Sequence, residues 1–158
     1  MSEANGVSAI PTKILVPIDF SPSSHVALET AIELAQKFNA ELLLLHVIPE
    51  TCGTEDSRAV AEKHFAISQA SMDAKGIKGT TLIEVENDVA GNILEAAERE
   101  NANLVVISTH GVSGWYPVVF GSIAEKIVKL VHTPVLLLRT EKPETSAKVS
   151  SAGLMEWW

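Results

Sequence analysis

The residues best placed to do chemistry lie between Ser108 and Ser122. Ser108-Thr109-His110-Gly111 opens this stretch and Gly121-Ser122 closes it. Glycine lets backbone N–H groups approach an anion with no side chain in the way. A helix that begins at Ser122 adds unpaired N–H donors and a partial positive charge. Together these features make a phosphate cradle, so the stretch reads as a nucleotide site. The plainer reading is a long strand-to-helix connection with glycines for turning. The loop by itself does not separate the two.

Single side chains add to both readings. Asp19 closes an apolar run. Its carboxylate suits an adenine amino group or a ribose hydroxyl, and equally the cap of the helix that follows. His110 can offer a ring N–H to a phosphate, or act as a general acid or phospho-acceptor. The preferred reading is a turn histidine whose backbone N–H matters more than its ring. Ser122 suits a helix cap, a phosphate donor, or both. Lys126, one turn on, reads as a solvated face residue. Trp115-Tyr116 read as surface or interface residues, and Pro117 stiffens the loop.

The absent motifs narrow the chemistry. There is no G-x-x-x-x-G-K-[ST], and the first strand leads into Asp19-Phe20-Ser21 without G-x-G-x-x-G. There is no G-x-S-x-G nucleophile elbow. No base, oriented water and metal-ligand set for fast phosphoryl transfer can be assembled, so no catalytic residue is assigned. His25, His46, His64 and His132 fall into no metal-ligand spacing, so no structural metal is expected.

Composition sets wider limits. A chain of 158 residues is about one domain. Hydrophobic residues make up 46% and charged residues 20%, ordinary for a globular protein. The net charge of -8 argues against a nucleic-acid partner, which needs clustered Lys and Arg. It leaves a small anion open, because a local nest of N–H groups outweighs a distant field. Cys52 is the single cysteine and reads as an inert thiol. No secretory signal stands at the start, and no apolar run nears the ~20 residues of a membrane span. A cytoplasmic location away from membranes is the default expectation.

Positioning these residues falls to five apolar runs, at 13–18, 41–47, 80–85, 104–108 and 134–139. Four are dense in Leu, Ile and Val, the pattern of strands buried on both faces. The run 80–85 alternates and reads as an edge strand. Between the runs lie helical patterns. Ala27, Ala31, Leu34, Ala35 and Phe38 share a face behind Ser21 as N-cap and Pro22 as first helical residue. Ala90, Ile93, Leu94 and Ala97 follow a cap at Asp88. Ile123, Ala124, Ile127, Val128 and Val131 form the last pattern, stopped by His132-Thr133-Pro134. Residues 57–74 carry a weaker helical period, and Gly76 and Gly79 frame the turn after them.

Strict alternation predicts one α/β domain with a doubly wound parallel sheet and helices on both faces. Ligands bind such sheets at the carboxyl ends of strands where the order reverses. With the first strand central, Pro17-Ile18-Asp19 and the segment from Ser108 to Gly111 meet there. The expected domain runs from 13 to 139, with an N-terminal arm at 1–12 and a polar tail at 140–158. Leu154-Met155-Glu156-Trp157-Trp158 reads as a frayed end or as a docking segment, since two Trp residues bury large apolar area.

The pattern as a whole resembles the universal stress protein family. Lys13-Ile14-Leu15-Val16-Pro17-Ile18-Asp19-Phe20-Ser21 is similar to its opening strand and Asp-x-Ser turn. Leu44-Leu45-His46-Val47 is similar to its second strand. The run from Val105 to Ser122 resembles its G-x-x-G-(nine residues)-G-[ST] signature, followed by Ala124-Glu125-Lys126-Ile127-Val128 and Thr133-Pro134-Val135-Leu136-Leu137. The resemblance implies a five-stranded Rossmann-like sheet in the order 3-2-1-4-5 and a homodimer, here through the edge strand that runs from Pro134 to Arg139. One branch of the family binds ATP and another does not. For the ATP branch it implies Pro17, Asp19 and Val47 on the adenine and ribose side. Ser108, His110, Gly111, Gly121, Ser122 and Ile123 would face the phosphates, with Mg as counter-ion. The chain departs from the signature at Ser108, where the family has glycine. The added hydroxymethyl either crowds the loop or replaces a backbone contact.

The resulting expectation is an ATP-binding, nucleotide-responsive regulator or sensor in stress response. Phosphate would order the loop at 108–122 and alter a surface read by an unidentified protein partner. Two alternatives stand beside it. One is slow ATP hydrolysis or autophosphorylation on Ser108, Thr109, His110 or Ser122. The other is a nucleotide-free interaction module that dimerises through its edge strand and engages partners with the tail.

Overall fold

Ser21 starts the first helix by the rules its neighbours predict. Its backbone is extended, and its Oγ accepts the Ser24 N–H at 3.2 Å. Pro22 needs no partner for a missing N–H in the first turn. The helix α1 (Pro22–Phe38) ends at Asn39, which takes a left-handed conformation at φ 57°. Asp88 does the same service for α3 (Val89–Arg99), accepting the Gly91 N–H at 2.9 Å.

The computed structural model describes residues 10–52, 54–110 and 122–140. The strands are β1 (Lys13–Pro17), β2 (Glu41–Ile48), β3 (Gly79–Val85), β4 (Leu104–His110) and β5 (Val135–Thr140). The remaining helices are α2 (Thr54–Ala74) and α4 (Ser122–Leu130), with a short 3-10 turn at Glu50–Cys52. All strand pairs are parallel and the order is β3-β2-β1-β4-β5. The predicted sheet order therefore holds. Among the described residues no helix is long and apolar enough to cross a membrane.

Successive side chains of a strand point to opposite faces, so the central strands feed two cores. Ile14, Val16, Leu42, Leu44 and Val106 pack on one face with α1 and with Phe65 and Met72 of α2. Leu15, Leu43, Leu45, Val105 and Ile107 pack on the other with Ala90, Ile93 and Ala97 of α3 and Ile127 of α4. Burial on both faces explains why these strands lack alternation.

Three expectations need correction. The strand β5 is only half-buried and exposes Arg139, because among the described residues no strand lies beyond it. Its apolar density does not signal burial on both faces. The strand β4 runs two residues past its apolar stretch, because Thr109 and His110 still pair with Arg139 and Thr140. His110 thus ends a strand instead of lying within the loop. Gly79 opens β3, and a side chain there would strike the buried Met72. Gly79 therefore packs within the strand instead of turning the chain; Gly76, at φ +71°, makes the turn.

Candidate functional site

The sheet order reverses between β1 and β4, and a cleft of about 260 Å³ opens at their carboxyl ends. Of the residues predicted for a site, Pro17, Asp19, Val47, Ser108, Ser122 and Ile123 all line this cleft. His110 ends β4. Gly111 and Gly121 lie outside the described residues, as do Trp115, Tyr116, Pro117 and the tail.

The bank made by β1 and α1 is held by hydrogen bonds. Asp19 Oδ1 accepts the Ser21 N–H at 2.9 Å, so the carboxylate stabilises the turn that also presents it. The Ile18 N–H donates to the Leu45 carbonyl at 2.8 Å. His46 Nδ1 lies 2.7 Å from the Ile18 carbonyl. A carbonyl only accepts, so Nδ1 carries the proton. Between Asp19 and Ser21, Phe20 takes φ 66°, unusual for a bulky residue. Three rings hold it there. His64 stacks on it at 4.5 Å, His46 tilts against it at 4.5 Å, and Phe65 meets it edge-on at 5.5 Å.

Ser108 is anchored across the cleft floor. Its Oγ donates to the Ser23 carbonyl at 2.5 Å and lies 2.8 Å from Ser23 Oγ. Ser23 and Ser24 also line the cleft, and neither stood out in the sequence. The available signal is the cluster of serines after Asp19, of which Ser21 alone reads as a helix cap.

The opposite bank comes from α3 and α4. Val89, Ile93 and Ile127 give it an apolar surface. Lys126 Nζ reaches Asp88 Oδ1 at 3.0 Å and Oδ2 at 3.2 Å, joining the two helices near their starts. Lys126 is thus an ion-pair partner of a helix cap. The Gly91 N–H and then Lys126 hold the Asp88 carboxyl below the usual carboxylate value. Among the described residues lining the cleft, Asp19 is the sole carboxylate and there is no Lys or Arg. No cluster of three or more potential metal ligands occurs among the described residues.

A cleft at this switch point, apolar on its α3–α4 wall and polar at its β1–α1 wall, suits a flat, amphipathic ligand. The family model for the universal stress protein family matches residues 11–139. The chain belongs to the universal stress protein family. It is 31% identical over 144 residues to the universal stress protein MJ0531 of Methanocaldococcus jannaschii, covering 84% of each chain. A solved member of the universal stress protein family from Burkholderia pseudomallei matches with a TM-score of 0.63 at 29% identity, covering 83% of this chain and 98% of that one. Two solved universal stress proteins are complexes, one with cAMP (TM-score 0.67, covering 83% and 98%) and one from Archaeoglobus fulgidus with dAMP (TM-score 0.65, covering 81% and 98%). Each is 20% identical to this chain, and the likeness is one of fold.

Proposed function

We propose that the cleft binds an adenine nucleotide, ATP with Mg²⁺ as counter-ion, and that this universal stress protein is a nucleotide-responsive regulator. The observation that carries the reading is convergence. Pro17, Asp19 and Val47 meet the first turn of α4 in one cleft, although they come from three separate segments. The base and sugar take the side of Pro17, Asp19 and Val47. There the Asp19 carboxylate accepts from amino or hydroxyl groups. The phosphates take the side of Ser122 and Ile123, where a helix start offers N–H donors, together with His110, Gly111 and Gly121. Relatives of this fold solved with cAMP and dAMP fit the same ligand class.

The protein acts as a homodimer in this reading. The half-buried edge strand, from Pro134 to Arg139, supplies the surface for a second copy. The functional domain spans 13–139, between an arm at 1–12 and a docking tail at 140–158. An exposed thiol at Cys52 fits the reducing cytoplasm.

Calorimetric titration of the nucleotide-stripped protein with Mg-ATP tests the reading, with Gly111→Val as control. The expected result is saturable binding that the valine abolishes. A wild type that takes up no ATP overturns it and leaves the nucleotide-free interaction module.

A further inference from the structure

On one wall of the cleft three serine hydroxyls, those of Ser23, Ser24 and Ser108, have their protons engaged inside the protein. Ser108 Oγ donates to the Ser23 carbonyl. A hydroxyl has one proton, so the contact between the two Oγ atoms is donated by Ser23. Ser24 Oγ likewise donates to the Ser21 carbonyl at 3.0 Å. Each of these oxygens keeps lone pairs and no proton to give. These oxygens attract ligand donors and repel phosphate oxygens, which are acceptors themselves.

The pair is also preorganised. Ser23 is 7% exposed and Ser108 is half-buried, and their mutual bonds fix both rotors before any ligand arrives. A ligand hydroxyl that meets them has no side chain left to order.

We propose that the Ser23–Ser108 pair is a specificity element: it accepts a hydrogen bond from a sugar hydroxyl of the ligand and keeps phosphate away from that part of the cleft. The inference rests on the nucleotide reading above and moves Ser108 from the phosphate side to the sugar side. It also gives the serine at the family's glycine position a role of its own.

The test is calorimetric affinity of the full chain for adenosine, 2′,3′-dideoxyadenosine and ATP. Wild type should favour adenosine over the dideoxy compound by about tenfold, the effect of one well-placed hydrogen bond. Ser23→Ala/Ser108→Ala should bring that ratio close to one, while Ser108→Thr, which keeps the hydroxyl on a side chain suited to a strand, should retain it. Ser108→Gly is the second variant. It releases the Ser23 proton, so ATP should gain on adenosine. A ratio near one in the wild type, an unchanged ratio in the double alanine variant, or a loss of ATP relative to adenosine in Ser108→Gly overturns the inference alone. A wild type that binds neither adenosine nor ATP overturns the nucleotide reading and this inference with it.

Discussion

The two banks of the cleft are built by different physics. On the β1–α1 bank, hydrogen bonds hold the polar residues: Asp19 to the Ser21 N–H, Ser21 to the Ser24 N–H, and Ser23 to Ser108. Such bonds are directional, so this bank has one geometry before a ligand arrives. On the α3–α4 bank the contacts are apolar, and a polar tie across the helices is the surface pair of Lys126 with Asp88. Apolar contact is non-directional and tolerates small shifts. The helix α4 buries only Ala124 and Ile127 among its nine residues, whereas α1 buries seven of seventeen. A ligand that touches both banks therefore meets a fixed wall and an adjustable one.

The largest expected effect strikes the adjustable bank. Ile127→Ala removes the one large buried side chain of α4 and should cost about 3 kcal/mol, read as a lower urea midpoint. A cost under about 1 kcal/mol would mean that α4 is held by something other than apolar burial. The fixed bank should respond less. Ser21→Ala removes the acceptor for the Ser24 N–H and should cost about 1 kcal/mol in the same measurement. A neutral outcome would deny that the cap secures this bank.

Phe20 sharpens the comparison further, because its left-handed backbone penalises any side chain. Phe20→Gly should be more stable than Phe20→Ala by about 1 kcal/mol, reversing the usual preference for alanine. The opposite order in thermal melts would show that the turn relaxes when the ring is removed.

The smallest effect is electrostatic and belongs to the adjustable bank. The folded Asp88 carboxyl lies below its ordinary value, so its contribution is present above the ordinary carboxylate range and is lost as pH falls through the folded value. Asp88→Asn keeps a capping side chain and removes the charge. Wild type should lose stability below about pH 4 more steeply than the variant. Parallel curves would show that neither the Gly91 N–H nor Lys126 favours the charged carboxylate.

The sequence made the fold legible wherever local rules decide. Ser21 with Pro22, Asp88 before α3, and His132-Thr133-Pro134 after α4 mark helix ends through capping and the geometry of proline. Unbroken apolar runs marked the central strands, because both of their faces are covered. The run at β5 looked the same, since sequence carries no sign of whether a neighbouring strand exists. The weak period of α2 has a visible cause: its described core residues are Ala61, Phe65 and Met72, spread along a long helix over an edge of the sheet.

The convergence of Asp19 with Ser108 was legible through topology. The bonding between Ser108 and Ser23 was not, because 85 residues separate them and nothing in the sequence marks Ser23. Lys126 with Asp88, 38 residues apart, was hidden for the same reason. Phe20 carried no warning of its positive φ, because no glycine marks the turn.

Amide hydrogen exchange with and without saturating Mg-ATP tests the central claim most directly. A cleft that takes a nucleotide between a fixed and an adjustable bank predicts added protection in α4 and in the start of α3, with little change in α1, already held by its own bonds. Added protection confined to α1, or none anywhere, would contradict it.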